Sequence, residues 1–592
     1  MRPKDTGKRE LAAFRRSTEK GSEEKNSEAK PFYRFYLSLI VFTGFLLILF
    51  FRTIDHPALL IFRMFSWPLA VLSLGAFIIA IVPRSRLSLS HRRNRLFPLI
   101  SLNYFLPFVL FFSALVLFSV VRSSLISSDP NDVRLHYLLT GDEPSYLLIT
   151  HSLVFDGDLD LSNNRQDYVH FNRHPLLGDQ FGFDFYNRIA QGRLTGKEKD
   201  WGDRQYFINR PGLPLLIAPA YWIGFQADKR IRFVVLVWVN LMASFLIVLI
   251  FYLARAYSGP LPAGLTAFYF VLTPPLIYYS NQIYPDLPAA LFLSGVLLGL
   301  IQAKKRGVIL ITGILAASLP WFHERFIGLF LVLIVAAFFR PEFRRRWFLF
   351  LVLPLFSLIL QGMYYYSFYG LPFPINSHKP LNLFAVPRGL AALLTDRDKG
   401  LLFFNPLIIL SFFGMIPLWR QDRRLTVTLI SLFLAFLVPM ASFPDWHGGI
   451  CPPLRYLVTL VPLSIIPTMA LFTNDSWSFT RSGMFVLGAF GLWIGLNVAV
   501  QPKLWFWEYG SIFNPMAFRA AHAFSPGYFH PQIRNSFLSL GWIFLVGIFP
   551  FLDLWSKVKQ KLIFPLPVFP WSVFFFTLGI LIISISSWMI IG

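Results

Sequence analysis

Two adjacent carboxylates, Asp142 and Glu143, come directly before Pro144, where a long polar segment of the chain begins. Proline is favoured in the first turn of a helix, so this spacing predicts both acids at or just before a helix N-terminus. The unpaired backbone N–H groups at such an end favour anions and could help to hold a phosphate. An ordinary acidic N-cap is an equally good interpretation of the same residues.

A lone arginine offers phosphate-binding chemistry elsewhere in the same polar region. Arg210 comes just before an apolar, proline-rich segment, 211–225, which contains Tyr221 and Trp222 near its end. Aromatic residues of this kind suit the lipid headgroup region. At that height a guanidinium can bind a lipid phosphate, because its planar fork matches two phosphate oxygens. Anchoring of Arg210 to lipid headgroups is the alternative.

The stretch from Asp445 to Gly449 combines an acid with Trp446, His447 and two glycines. Aromatic rings stack on sugar faces and glycines permit close approach, so the stretch is a candidate sugar pocket. An interfacial turn that carries an aromatic belt residue is an equal alternative. His447 could complete a divalent-metal site with the two acids, although the pattern favours a site without metal.

The elements that must position these residues are apolar. Of the 592 residues 55% are hydrophobic, 18% are aromatic and only 14% are charged. This composition is typical of a multi-pass membrane protein, not of a soluble enzyme. The net charge of +23 does not indicate nucleic-acid binding, because the basic residues cluster in short loops between apolar runs. A single cysteine, Cys451, excludes an intrachain disulfide.

Apolar runs of bilayer-crossing length predict about 15 transmembrane helices in a single domain, 31–592, after a disordered cytoplasmic tail, 1–30. The predicted spans are 33–52, 64–83, 97–121, 231–254, 262–281, 286–303, 307–321, 324–339, 347–368, 401–418, 425–443, 454–472, 483–500, 537–555 and 570–591.

The distribution of charge orients these spans. With the N-terminus in the cytoplasm, every dense basic cluster falls on the inner side, as the positive-inside rule requires. The outer side receives the large loop 122–230 and shorter loops that hold acids, histidines and isolated arginines. We therefore expect a cytoplasmic-membrane protein whose working face is outside, where nucleotide donors are scarce and a lipid-carried substrate is favoured.

Two helices are predicted inside the 122–230 loop. Residues 144–155 place Leu147, Leu148, Val154 and Phe155 on one face, which predicts an amphipathic helix lying in the membrane interface. The segment 211–225 predicts a second interfacial helix. A packed or hydrogen-bonded role is expected for His151, and an internal ion pair is expected in the turn 323–325.

The order of these motifs resembles the GT-C superfamily of membrane glycosyltransferases, which includes protein O-mannosyltransferases and the transferase that adds aminoarabinose to lipid A. The similarity covers roughly residues 97–460. The segments that carry it are Gly141-Asp142-Glu143 at the start of the first large outer loop, Asn209-Arg210-Pro211 before the second interfacial helix, Tyr284-Pro285-Asp286 at a helix start, Gly400–Pro406, and Trp446–Gly449 followed by Arg455.

The resemblance implies an all-α polytopic membrane protein of GT-C type and a sugar donor carried on a polyprenyl phosphate or diphosphate. It implies that Asp142 is the base that deprotonates an acceptor of unknown identity, with inversion at the anomeric carbon. Glu143 would support Asp142 or ligate a divalent metal, together with His447, and Asp286 would be a second acid. The other expected site residues are Arg210, Arg455, Lys379 and Arg388 for the donor phosphate, and Tyr146, Trp446 and His447 for the sugar or acceptor.

Two other functions remain open at the level of sequence. A transporter or flippase of a lipid-linked sugar would tend to show matched repeats with broken helices and charges inside the spans. This chain has its acids at helix ends and shows no matched halves, which favours an enzyme. In a non-catalytic scaffold, Asp142 and Glu143 would only cap a helix.

Overall fold

A computed structural model of the chain describes residues 102–125, 142–161, 198–201, 204–207, 210–227, 231–302, 305–369, 382–396, 399–443, 446–449, 451–474, 478–500, 548–553 and 555. They belong to the second of two compact units, Ile100–Gly592. The predicted tail 1–30, the predicted spans 33–52, 64–83 and 570–591, and Lys379 lie outside the described residues.

Helices form nearly all of the described part of the chain. They are α1 (Leu102–Leu125), α2 (Glu143–Phe155), α3 (Gly212–Gln226), α4 (Ile231–Arg255), α5 (Pro260–Leu272), α6 (Leu276–Tyr279), α7 (Asp286–Gln302), α8 (Arg306–Phe322), α9 (Ile327–Phe338), α10 (Pro341–Arg344), α11 (Trp347–Tyr369), α12 (Val386–Thr395), α13 (Leu401–Phe404), α14 (Leu407–Gln421), α15 (Arg423–Ser442), α16 (Leu460–Phe472) and α17 (Ser478–Val500). Short 3₁₀ helices cover Glu324–Phe326, Leu383–Ala385 and Arg455–Thr459.

Four of the described helical stretches are long and apolar enough to cross a membrane: Ile231–Arg255, Trp347–Ser367, Arg423–Ser442 and Arg455–Phe472. Large apolar side chains remain exposed on their outer surfaces, for example Ile359 and Met363 of α11, each 61% exposed. Such rows of apolar side chains are stable against lipid, not against water. The fold is therefore that of a helical, multi-pass membrane protein, as the sequence predicts.

Two predicted spans are broken at buried asparagine and proline residues. The span 262–281 divides into α5 and α6 at Pro274-Pro275, and the span 401–418 divides into α13 and α14 at Asn405-Pro406. The two breaks meet, because Asn405 Nδ2 donates to the Pro274 carbonyl at 2.6 Å while its Oδ1 accepts from Tyr269 Oη at 2.7 Å. Asn405 thereby supplies a partner for a backbone carbonyl at the first break, where prolines interrupt the helical bonds.

The helices of the 122–230 loop form as predicted, but their surroundings differ from the expectation. Helix α2 packs against α3, and α3 packs against α4. Every described side chain of α2 from Ser145 to Thr150 is buried, so the prediction of an amphipathic helix with one apolar face was wrong. The Tyr221 ring of α3 is also buried and its hydroxyl is hydrogen-bonded to His151 Nδ1 at 3.1 Å, which confirms the hydrogen-bonded role of His151.

The same loop contains a β-hairpin that was not predicted from the sequence. Strands β1 (Glu198–Trp201) and β2 (Arg204–Phe207) pair antiparallel, with Trp201 opposite Arg204. The two residues between them, Gly202 and Asp203, are a common pair for a tight hairpin turn, and this signal was available in the sequence.

The packing of the central helices brings four chain segments to one place. Helix α7 packs against α4 and α8, and the 3₁₀ helix Arg455–Thr459 packs against α7. The 3₁₀ helix Glu324–Phe326 connects α8 to α9 and packs against α15. The N-terminus of α2 joins this group through an ion pair that belongs to the candidate site.

Candidate active site

Asp142 stands at the N-cap position of α2, as the sequence predicts, but it does not cap the helix. Its side chain makes no hydrogen bond to the first turn. Instead, Oδ2 accepts a hydrogen bond from Arg455 Nη2 at 2.7 Å, across 313 residues of chain. The acidic N-cap interpretation therefore fails, and the carboxylate is committed to a tertiary ion pair.

Arg455 joins Asp142 to the second predicted acid, Asp286. Asp286 is the first residue of α7, its side chain is fully buried, and its Oδ2 lies 3.5 Å from Arg455 Nε. On its other side, Arg325 Nη2 donates to Asp286 Oδ1 at 2.7 Å. The result is a buried run of alternating charges, Asp142, Arg455, Asp286 and Arg325, which we call the charge chain. Its two carboxylates and two guanidiniums balance one another, as burial of charge requires.

The charge chain still contains polar atoms that are not hydrogen-bonded. Arg455 Nε and Arg325 Nε are buried and neither makes a hydrogen bond, although Arg455 Nε lies 3.5 Å from Asp286 Oδ2. Unsatisfied buried polar atoms are uncommon and costly in folded proteins, and they concentrate where a site is built for function. These two Nε donors are the least satisfied polar atoms of the charge chain.

Glu143 supports the segment that precedes Asp286. Its side chain is fully buried, and Oε1 accepts a hydrogen bond from the backbone N–H of Ile283 at 2.6 Å. That bond ties the start of α2 to the residues just before α7. Of the two roles expected for Glu143, the contact favours support of the site.

The Arg455 guanidinium is held on its face as well as at its edges. Its Cζ lies 4.1 Å from the centre of the Tyr284 ring, in cation–π geometry. Its Nη1 donates to the carbonyl oxygen of Gly448 at 2.9 Å. Leu454, the residue before it, has a left-handed backbone with φ of 66°, which turns the chain so that Arg455 begins the 3₁₀ helix.

Arg210 belongs to a second ion pair, with Glu324. Arg210 Nη2 and Nε donate to Glu324 Oε2 at 2.9 and 3.2 Å, and the guanidinium lies 4.2 Å from the centre of the Tyr365 ring. The turn 323–325 thus links the two groups, because Glu324 pairs with Arg210 and Arg325 pairs with Asp286. The sequence analysis expected an ion pair within this turn, whereas Glu324 and Arg325 each pair with a residue outside it.

The electrostatics of this turn keep Glu324 ionised and His323 neutral. Burial by itself raises the pKa of the Glu324 carboxyl, but the neighbouring His323 and Arg210 lower that pKa to about 2. Burial lowers the pKa of the His323 ring to about 3; Glu324 opposes this shift, and the charges of Arg325, Arg455 and Arg210 add to it. Near neutral pH the turn therefore carries one negative and one positive charge.

The predicted pocket residues are found in different settings. Tyr146 is buried near the charge chain, and burial, followed by the charge of Asp142, raises its pKa well above the usual range. Trp446 is buried, and its ring meets the His447 ring edge-on. His447 Nδ1 accepts a hydrogen bond from the Gly449 N–H at 3.1 Å.

The remaining predictions concern metal and further cations. Among the described residues, no group of three or more His, Cys, Asp or Glu side chains is arranged to hold a metal ion. Arg388 is exposed on α12, in contrast to the buried Arg210 and Arg455. Lys379 lies outside the described part of the chain.

Several residues that build the site were not predicted from the sequence. Tyr284 was predicted only as part of a motif, yet its ring makes the cation–π contact with the Arg455 guanidinium. Lys399, Asp396 and Tyr279 were not selected at all, although each is buried close to the segment that carries Arg455. The available signal for Lys399 was a basic residue directly before an apolar helix on the predicted outer side.

Comparison with known proteins finds no family model that matches the chain and no matching protein among curated sequences. Among solved structures, ArnT from Cupriavidus metallidurans bound to undecaprenyl phosphate is similar with a TM-score of 0.40 and 15% identity, over 82% of this chain and 76% of that chain. The apo state of the same protein is similar with a TM-score of 0.37 and 15% identity, over 81% and 76% of the two chains.

Proposed function

We propose that this protein is a GT-C-type glycosyltransferase that moves a sugar from a polyprenyl-phosphate-linked donor to an acceptor at the outer face of the cytoplasmic membrane. The observation that carries the proposal is the buried charge chain, in which Asp142 and Asp286 share Arg455. Both acids stand at helix starts, and they occur in motifs whose order resembles the GT-C superfamily.

The reaction asks for a base and for stabilisation of a leaving phosphate. In our proposal an acceptor hydroxyl or amine attacks the anomeric carbon and gives its proton to the Asp142 carboxylate. The bond between that carbon and the phosphate oxygen breaks, and the electron pair leaves with the polyprenyl phosphate. A single displacement of this kind inverts the anomeric configuration. Arg455 stabilises the negative charge that develops on the phosphate.

The ion pair between Asp142 and Arg455 gives this scheme an order of events. A carboxylate paired with a guanidinium is a weak base, because the pairing favours its charged form. A donor phosphate that accepts hydrogen bonds from Arg455 would be a second anion on the guanidinium that pairs with Asp142. We therefore propose that donor binding transfers Arg455 from the carboxylate to the phosphate, and that only then does Asp142 accept the proton.

The other predicted residues fill supporting roles in this proposal. Asp286 holds Arg455 from the far side, and Glu143 fastens the segment before α7 through the Ile283 N–H. Tyr146, Trp446 and His447 are proposed to contact the sugar or the acceptor. Arg210, Lys379 and Arg388 are further candidates for the lipid phosphate, and Glu143 with His447 remains a candidate pair of divalent-metal ligands.

The test uses the full-length protein in liposomes that contain undecaprenyl phosphate carrying a radiolabelled hexose or pentose. A panel of outer-membrane lipids, glycolipids and peptides serves as acceptors. The proposal expects label to leave the lipid donor and to appear on one of these acceptors or in water. The Asp142→Asn protein in matched liposomes is the control.

The alternatives predict different results in the same liposomes. A flippase of lipid-linked sugar moves label from one leaflet to the other and leaves it on the lipid. A scaffold does neither. Transbilayer movement without transfer, or label that stays in place with every donor and acceptor offered, contradicts the proposal.

A further inference from the structure

The segment 446–455, which carries Arg455, contains three residues in the left-handed region, one of which is not glycine. Gly448 and Gly449 have φ of 87° and 79°, and Leu454 has φ of 66°. Left-handed conformations are costly for residues other than glycine, and they persist where surrounding contacts hold them. The segment contributes two contacts to the site, namely the Arg455 side chain and the Gly448 carbonyl that orients it.

Two buried side chains from distant parts of the chain bond to consecutive carbonyls of this segment. Lys399 Nζ donates to the carbonyl oxygen of Cys451, and Tyr279 Oη donates to the carbonyl oxygen of Pro452 at 2.5 Å. Lys399 is only 5% exposed, and its backbone N–H donates to the Asp396 carboxylate at 2.9 Å. A buried ammonium is expensive unless its hydrogen bonds are made, so the bond to Cys451 is strongly favoured.

We infer that Lys399 is a positioning residue: by holding segment 446–455 through the Cys451 carbonyl, it keeps Arg455 between Asp142 and Asp286. Tyr279 is the second anchor of the same segment. In this inference Lys399 acts through the backbone of the segment. The part of this inference that concerns catalysis rests on the proposed function, whereas the part that concerns the conformation of the segment does not.

The segment contains its own reporter. Cys451 is the single cysteine of the chain, and its side chain is 6% exposed. Its Sγ lies 3.2 Å from the Gly448 carbonyl oxygen, inside the same turn. A maleimide can react with this thiol only when the segment opens, so the labelling rate of the native protein measures the opening equilibrium.

The experiment compares Lys399→Met with Lys399→Arg. Methionine keeps an apolar stem of similar length but loses the hydrogen bond, whereas arginine keeps a positive donor. We expect Lys399→Met to raise the Cys451 labelling rate about tenfold, the change that loss of one hydrogen bond to a charged group produces in an equilibrium. Lys399→Arg should stay closer to the native rate, and Tyr279→Phe should raise the rate in the same direction.

The matched control is Arg340→Met. Arg340 Nη2 is paired with Asp422 at 3.0 Å. Arg325 precedes the 12-residue helix α9 and Arg340 follows it, so the length of α9 separates them by about 18 Å. Loss of that pair removes an ion pair without touching segment 446–455. Its labelling rate should equal the native rate even if the midpoint of thermal unfolding falls.

Sugar transfer is then measured on the same proteins. We expect kcat/KM for the lipid-linked donor to fall in Lys399→Met in proportion to the fraction of open segment, and to recover in Lys399→Arg. Labelling of both Lys399→Met and Tyr279→Phe at the native rate overturns the inference, as does labelling of Arg340→Met as fast as that of Lys399→Met. Faster labelling with undiminished transfer would support the role of Lys399 in holding the segment, but it would contradict the catalytic role of Arg455.

Discussion

Arg455 Nη2 lies 2.7 Å from Asp142 Oδ2, so the residue proposed as the base is bonded to a residue proposed to hold the donor phosphate. In the proposed mechanism, one guanidinium serves both the carboxylate and the donor phosphate. In the same mechanism, this relationship makes the base available only after an anion has drawn Arg455 away. It therefore connects donor binding to catalysis within one pair of side chains.

Replacement of Asp142 by asparagine should abolish the base and keep the shape of the side chain. We expect transfer to fall by about 100- to 10,000-fold, the usual contribution of a general base, while binding of undecaprenyl phosphate is retained. The measurement is the rate of sugar transfer together with the Kd of undecaprenyl phosphate. Asp156→Asn, at an exposed acid that ends the same helix, is the matched control and should transfer normally. Native activity in Asp142→Asn would remove the assignment of the base.

The charge chain should behave as one energetic unit. Arg455→Met leaves Asp142 and Asp286 without their shared partner, and removal of one member of a buried ion pair costs about 3–5 kcal/mol. Once Asp142 is asparagine, less negative charge is left unpaired, so the double variant should lose less free energy of unfolding than the sum of the single variants. Reversible unfolding in mixed micelles measures this coupling. Strict additivity would mean that the 2.7 Å contact carries no coupling free energy.

The helix positions could be predicted from the sequence because they depend on local properties. The predicted spans 231–254 and 286–303 correspond to Ile231–Arg255 and Asp286–Gln302, since charged residues mark where each apolar run meets its loop. The prolines at Pro274-Pro275 and Asn405-Pro406 also indicate helix breaks. The breaks were not predicted because each lies inside a continuous apolar run.

The ion pairs of the site could not be predicted in the same way. Asp142 and Arg455 are 313 residues apart, and no local periodicity indicates which of several arginines will reach which acid. Arg210 was expected beside the donor phosphate, whereas its nearest anion is the Glu324 carboxylate, 114 residues later in the chain. The pairing is decided by how α2, α7 and the turn 323–325 pack, and that packing is a tertiary property.

The carboxylate of Glu324 should compete with anionic lipid for Arg210. Its Oε2 accepts from two nitrogens of the Arg210 guanidinium, which is the geometry that a phosphate oxygen would use. We expect Glu324→Gln to tighten the Kd of undecaprenyl phosphate by about three- to tenfold, because a neutral amide competes less well for the guanidinium. Asp422→Asn neutralises the carboxylate paired with Arg340 and is the control, with an unchanged Kd. Weaker binding in Glu324→Gln would show that Glu324 holds Arg210 in place for the lipid instead of competing with it.

The partly buried His323 should make the protein less stable as the pH falls below neutral. Its pKa is lowered to about 3 in the folded chain, against about 6.5 in the unfolded chain. The unfolded chain therefore binds more protons between these values, so the stabilisation is complete above about pH 6.5 and is lost progressively as the pH falls toward 3. Glu324, with a pKa lowered from 4.5 to about 2 in the folded chain, contributes in the same direction, because its carboxyl begins to take up protons in the unfolded chain near pH 5.

His323→Gln tests this dependence. Glutamine offers an acceptor for the Arg325 N–H, which His323 Nδ1 accepts at 3.3 Å, but it does not titrate. The midpoint of thermal unfolding, followed in detergent between about pH 7.5 and about pH 5, should fall less steeply in the variant than in the native protein. Equal slopes would mean that His323 is protonated in the folded chain.

Gly448 and Gly449 separate backbone strain from displacement of Arg455. Both have positive φ, 87° and 79°, so alanine at either position costs about 1–2 kcal/mol of backbone strain. A Cβ at Gly448 would lie 3.1 Å from Cys451 Sγ and 3.2 Å from Arg455 Cβ, whereas a Cβ at Gly449 would meet nothing within 4 Å. Gly448→Ala should therefore move the Arg455 side chain, and Gly449→Ala should not. We expect similar losses of thermal stability in the two variants but a loss of sugar transfer of about tenfold or more in Gly448→Ala alone. The comparison of kcat/KM at matched loss of stability decides the matter: equal transfer in both proteins would mean that the placement of Arg455 by this segment does not limit the reaction.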